Sequence, residues 1–119
     1  MRVYVAGPVT GIEDRNKEAF YQADENLRAA GLDVINPLKL CEPNLSWEQA
    51  MRICLSALLE CESVVMLEGW EQSKGACIEH SLAVALGMGI YYSVESLVVH
   101  HNMSLGAGTC IGALYTKDV

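Results

Sequence analysis

Basic residues are scarce in this sequence. Lys and Arg number 8 against 15 Asp and Glu, a formal charge of −7. That balance argues against a nucleic-acid partner, because phosphate backbones are gripped by clustered Lys and Arg, and here the cations are scattered. A small anionic ligand stays open, since a helix N-terminus holds a phosphate without net positive charge. Long apolar runs are also missing. None reaches the roughly 18–20 residues that span a bilayer, so no membrane partner is expected. The opening "MRVYVAGP" has no extended apolar core of the signal-peptide kind and already resembles a strand, which makes a cytoplasmic protein the expectation. The five cysteines, Cys41, Cys54, Cys61, Cys77 and Cys110, form no CxxC pair and no zinc spacing. Their odd count argues against a disulfide framework, so they are expected mainly as small core hydrophobes. Neither a metal nor a cofactor is implied.

What is present is enough for a folded core. With 119 residues, 51% of them hydrophobic, the chain fits one globular domain and not a disordered segment. "RVYVA" (Arg2 to Ala6) predicts a first strand, followed by the loop "GPVTGIED", whose glycines allow backbone to approach a ligand closely. Phe20, Ala23, Leu27 and Ala30 recur at helical spacing between Arg15 and Ala30, and Gly31 is a fitting stop. "LDVINP" predicts a second strand. Ser46 with Gln49 forms a capping-box pattern opening a second helix, whose apolar stripe is Trp47, Met51, Cys54, Leu58 and Cys61. "SVVML" predicts a third strand, "EGWEQSK" a loop, the stretch from Lys74 to Gly87 a third helix, and "GIYYSV" a fourth strand.

This alternation predicts an α/β fold: a short parallel sheet of four or five strands between helical layers, of Rossmann or flavodoxin-like type. Such sheets bind ligands beyond the carboxyl ends of their strands. The loops "GPVTG" and "EGWEQSKG" best meet that criterion. The tail from Glu95 to Val119 has two apolar runs around a Gly-rich break. A strand pair, a swapped arm and a subunit contact all fit it.

Glu79 is the anomaly. It falls on the apolar stripe of the third helix, with Gly75, Ala76, Leu82 and Ala83 at i−4, i−3, i+3 and i+4. A buried carboxylate is costly unless partnered, and proximity to the helix N-terminus lowers the cost of its ionised form. The small residues around it would leave space for a pocket. Nucleophilic attack on a sugar C1′, general-base work and hydrogen bonding to a ligand hydroxyl are all within its chemistry. The alternative is a side chain at the edge of the stripe that reaches solvent.

"YVAGPVTG", the middle segment "SWEQAMRICLSALLECESVVMLEGWEQSKGACIEHSLAVALG" and the spacing between them resemble the DUF4406 family. That family is common in phages and prophages and is similar to nucleoside 2-deoxyribosyltransferases. The resemblance covers roughly residues 1 to 93. It implies a deoxyribosyltransferase-like domain over 1–94, with 95–119 as an extension packed on the same domain or on a partner subunit. It places Glu79 as the nucleophile that takes up the deoxyribosyl group, and Tyr4 as the phenol that orients it. It makes the Gly7-Pro8 loop and the loop of Gln72, Ser73 and Gly75 the frame for base and sugar, and Ser73 with the backbone of Lys74 and Gly75 a place for a 5′-phosphate; read from the residues alone, Trp70, just after Gly69 in a loop, is a candidate to stack the base. It also implies a homo-oligomer, since related folds complete each other's sites.

Two departures weaken leaving-group catalysis. Where the family usually has Met-Arg-x-Asp, this chain has "MRIC", so Cys54 replaces the aspartate; where Cys-Asp is common, it has Cys61-Glu62. Taken without the resemblance, other readings stand beside several of these. Tyr4 fits strand packing, Trp70 a lid over the core, Lys74 a solvated charge and Trp47 a core anchor. Glu68 and Glu71 fit solvated loop positions. His80 points about 100° round the helix from Glu79, and His100 with His101 lacks a third metal ligand. The expected function is binding of a small nucleoside or nucleotide, with N-glycosidic cleavage or 2-deoxyribosyl transfer through Glu79. The alternatives are a non-catalytic phage-type module that sequesters a nucleotide-like ligand or host partner, and an assembly protein that keeps the fold.

Overall fold

The computed structural model describes residues 1–107. Four strands, β1 (Arg2–Ala6), β2 (Asp33–Ile35), β3 (Ser63–Met66) and β4 (Gly89–Tyr91), form one parallel sheet in the order β2-β1-β3-β4. The sheet therefore has the four strands and helical flanks that the alternation predicts. β1 is central. Tyr4 pairs with Ile35 on one side and Val64 on the other. Side chains alternate along it. Val3 and Val5 join a core with Phe20, Leu27 and Leu97, whereas Tyr4 and Ala6 join one with Cys54, Leu58, Ala76 and Ala83.

These two cores separate the helical layers. One layer holds α1 (Lys17–Ala29) and α5 (Val94–Ala107); the other holds α3 (Trp47–Leu58) and α4 (Lys74–Ala85). α3 begins at the predicted capping box: Ser46 Oγ accepts from Gln49 N at 3.1 Å, and the Gln49 side chain accepts from Ser46 N at 3.0 Å. α4 is capped by Ser73, whose Oγ accepts from Ala76 N at 3.2 Å.

Several boundaries differ from the sequence expectation; the fourth strand, for one, ends at Tyr91, and Val94 already begins α5. α1 starts later than Arg15, because a 3-10 turn over Glu13–Asn16 holds Asp14, Arg15 and Asn16 at φ of 50°, 55° and 58°. Asp and Asn tolerate that left-handed region better than most residues. Pro37 opens a short helix, α2 (Pro37–Leu40), as well as ending the strand; Asn36 Oδ1 caps it by accepting from Leu38 N at 3.0 Å. The first apolar run of the tail is helical, not half of a strand pair. Leu97 of α5 is fully buried beside α1, and the chain beyond 107 lies outside the described residues.

A buried carboxylate ties α1 to β2 and α2. Asp24 Oδ1 accepts from Arg28 Nε at 2.5 Å, and its Oδ2 receives Lys39 Nζ at 2.8 Å and Asn36 Nδ2 at 3.2 Å. Burial pushes the Asp24 carboxyl up, but these three donors outweigh it and hold the group below its ordinary value. The cluster thus stabilises the fold above the usual carboxylate range and loses that contribution on acidification. Asp24→Ala strands three polar partners. It is expected to cost on the order of 2 kcal/mol in urea unfolding at pH 7, and less at pH 3.

Candidate functional site

The carboxyl ends of β1 and β2 open onto a cavity of about 440 Å³, within the range of small-ligand pockets. It lies where the chain reverses direction across the sheet, with β2 on one side of β1 and β3 on the other. Its walls come from the loop after β1 (Gly7 to Ile12), from α2 and the segment after it, from the exposed start of α3, and from the first turns of α4.

Backbone proximity shapes these walls. A Cβ on Gly7 would stand 2.8 Å from Leu67 Cβ, so only glycine lets the loop leave β1 this close to the end of β3. A Cβ on Gly75 would meet Met51 Sδ at 3.0 Å, so Gly75 lets α4 lie against α3.

Glu79 lies on the cavity wall and is only 5% exposed. The fully buried Tyr4 phenol donates a hydrogen bond to its Oε2. Oε1 accepts no hydrogen bond from the described residues. Burial pushes the Glu79 carboxyl up to about 7, against the opposing pull of the Tyr4 hydrogen bond. Burial, with the Glu79 charge beside it, raises Tyr4 well above the ordinary phenol value, so the phenol stays a donor. Cys54 adjoins both groups, and burial pushes its thiol up to about 12.

The residues predicted for the site fall into three places. Gly7, Ser73, Gly75 and Glu79 line the cavity. Tyr4 stands behind the wall and reaches it through Glu79. Pro8, Gly69, Trp70, Gln72 and Lys74 do not line it. Pro8 is buried near Gly69, Trp70 stacks on His80 with ring centroids 4.3 Å apart, and Gln72 is exposed. Lys74 Nζ lies 4.4 Å from the Trp47 ring centroid. Ser73 Oγ is already engaged as the cap of α4. Glu62 sits at the amino end of β3, where its Oε1 accepts from Arg2 N at 3.1 Å, at the far end of the strand from the cavity.

Several cavity residues were not singled out as site residues from the sequence. Trp47 and Met51 were assigned to the core stripe of their helix, yet both are half-buried and face the cavity, while Cys54 and Leu58 alone in α3 are buried. Arg15, Cys41 and Glu42 line the cavity too. Among the described residues Arg15 is the one cation on the wall, and its left-handed turn carries no apolar periodicity that would flag it. Among the described residues no group of three His, Cys, Asp or Glu is placed to hold a metal, and no helix is long and apolar enough to cross a membrane.

Sheet order, helical layers and the cavity at the strand ends define an α/β protein of Rossmann or flavodoxin-like type. The chain superposes on the 2-deoxyribosyltransferase of the psychrotolerant bacterium Bacillus psychrosaccharolyticus with a TM-score of 0.60 at 19% identity, over 76% of this chain and 69% of that one. The likeness establishes the fold. More particularly, the protein belongs to the DUF4406 family, a domain of unknown function that matches residues 1–92. A comparison with curated proteins finds no match.

The Glu79 carboxyl binds its proton more tightly folded than unfolded, where about 4.5 applies. Stability from this group is therefore fully present below 4.5 and falls as pH rises through about 7, by a few kcal/mol at most. Melting temperature is expected to drop between pH 5 and pH 8 in the wild type. In Glu79→Gln that slope should flatten, with the variant the more stable of the two at pH 8.

Proposed function

We propose that the protein binds a nucleoside or nucleotide in this cavity and cleaves or transfers at its N-glycosidic bond, with Glu79 as nucleophile. The observation that carries the reading is the buried Tyr4–Glu79 pair on the wall of a sugar-sized cavity. Tyr4 engages Oε2 and stabilises the ionised carboxylate; Oε1 is left to attack C1′. As the new C–O bond forms, the bond to the base nitrogen breaks and its electron pair leaves with the base. The resulting deoxyribosyl ester is opened by water or by a second base, which restores the carboxylate. Gly7 and Gly75 bring backbone close to the ligand, while Trp47 and Met51 give the base an apolar wall. Pro8, Gly69, Trp70, Gln72 and Lys74 act, in this reading, through the loops that hold those walls.

A specific feature favours a second reading, a non-catalytic module that sequesters a nucleotide-like ligand. The position of the expected family aspartate holds Cys54, whose thiol at about 12 is a weak proton donor for a departing base. Glu62 is at the wrong end of β3 to replace it. Among the described residues Glu42 is the other carboxylate on the wall. Loss of general-acid help is worth roughly 10²–10⁴-fold in rate.

Two further assignments accompany the proposal. Residues 1–94 form the deoxyribosyltransferase-like domain and 95–119 its extension, supported by the burial of Leu97 against α1. A homo-oligomer is supported by Leu59, Val84, Leu86, Tyr92 and Val99, each more than half exposed.

Incubation with deoxynucleosides and their 5′-monophosphates, scored by chromatography for free base, tests the enzyme. Release should fall at least ~10³-fold in Glu79→Gln, while that variant keeps its ligand-induced rise in melting temperature. kcat/KM should climb with pH through about 7 as Glu79 ionises. Tyr4→Phe should move that midpoint upward, because the lost hydrogen bond favoured the charged form. Tight binding without base release selects the sequestering module. If none of these compounds shifts the melting temperature, both readings fail.

A further inference from the structure

Cys41 and Cys54 lie on the same cavity wall with their sulfurs 3.6 Å apart. Both are free thiols. Cys61 and Cys77 point instead at backbone carbonyls, of Ala57 at 3.4 Å and of Glu71 at 3.4 Å. Cys41 is the more exposed of the pair and stands at the end of α2, where the backbone is extended and free of helical bonds beyond it. Cys54 is anchored in α3, beside Tyr4. A disulfide needs its sulfurs about 2.05 Å apart, so a bridge requires side-chain rotation and a shift at Cys41 that closes the 3.6 Å separation.

We propose that Cys41 and Cys54 are an oxidation site in the cavity wall, a dithiol that peroxides convert to a disulfide. The Cys41 thiolate attacks a peroxide oxygen, the O–O bond breaks, and a sulfenic acid and hydroxide result. The Cys54 sulfur then attacks the Cys41 sulfur. The S–S bond forms, the S–O bond breaks, and the Cys54 proton leaves with the departing hydroxide as water. With hydrogen peroxide, two thiols and one peroxide give one disulfide and two waters. The sulfurs lose two electrons and the peroxide oxygens gain them. The bridge draws the end of α2 toward α3 and takes the Cys54 sulfur from its place beside Tyr4. It therefore reshapes the cavity next to Glu79, whatever ligand the cavity holds.

The test is peptide mapping of the full chain after hydrogen peroxide, with free thiols blocked by iodoacetamide. The expected product is a Cys41–Cys54 cross-linked peptide, reversed by dithiothreitol, with Cys61 and Cys77 alkylated. Cys41→Ser should yield no cross-link to Cys54. A bridge to any other cysteine, including Cys110, or alkylation of both Cys41 and Cys54 after oxidation, overturns the proposal.

Discussion

The hydrogen bond from Tyr4 to Glu79 is the contact around which the site is organised. It joins the central strand to the second turn of α4, with Tyr4 fully buried and Glu79 only 5% exposed at the cavity wall. A carboxylate there is stable only if something receives its charge or its proton. The phenol stabilises the charged form, while burial stabilises the neutral one. Their opposition leaves the carboxyl at about 7, close to the pH at which a side chain can serve both as a base and as an acid.

Everything that makes this contact possible is a matter of close approach. Gly75 leaves room for Met51 where α4 lies against α3, and the loop after β1 passes Leu67 because Gly7 has no side chain. Ser73 sets the start of α4, which in turn sets the rotation that turns Glu79 inward. On the far wall, Asp24 holds α2 through Asn36 and Lys39, so a charge buried in one helix fixes a cavity wall in another. The cavity is thus a product of packing between four segments and belongs to no single motif.

Cys54 sets the charge balance of this wall. A carboxylate at that place would add a second charge beside Glu79. The thiol is neutral and buried instead, which avoids that repulsion but makes it a weak proton donor. It also brings a sulfur within 3.6 Å of Cys41 and gives the wall a redox chemistry that a carboxylate lacks. One side chain therefore limits the charge on the wall and places a second sulfur there.

Much of the fold was legible in the residues. Alternating strand and helix patterns, the Ser46–Gln49 box and the stop at Gly31 are local signals, and local signals survive without tertiary context. The sequence also marked Glu79, since a charge on an apolar stripe stands out against its neighbours. Local pattern misled where one stripe served two environments: Trp47 and Met51 share the spacing of Cys54 and Leu58, but Trp47 and Met51 face the cavity half-buried, Leu58 faces the core, and Cys54 lies buried at the boundary between them. It was silent on Arg15, whose turn follows no periodicity, and on Cys41, whose partner is 13 residues away. The amino-acid order by itself determined which segments become strands and helices and which helix carries the unusual acid, because those depend on near neighbours along the chain. Only the tertiary structure decided that Tyr4 meets Glu79, that Glu62 lies at the opposite end of the sheet and that two thiols share a wall, because such encounters depend on how distant segments pack.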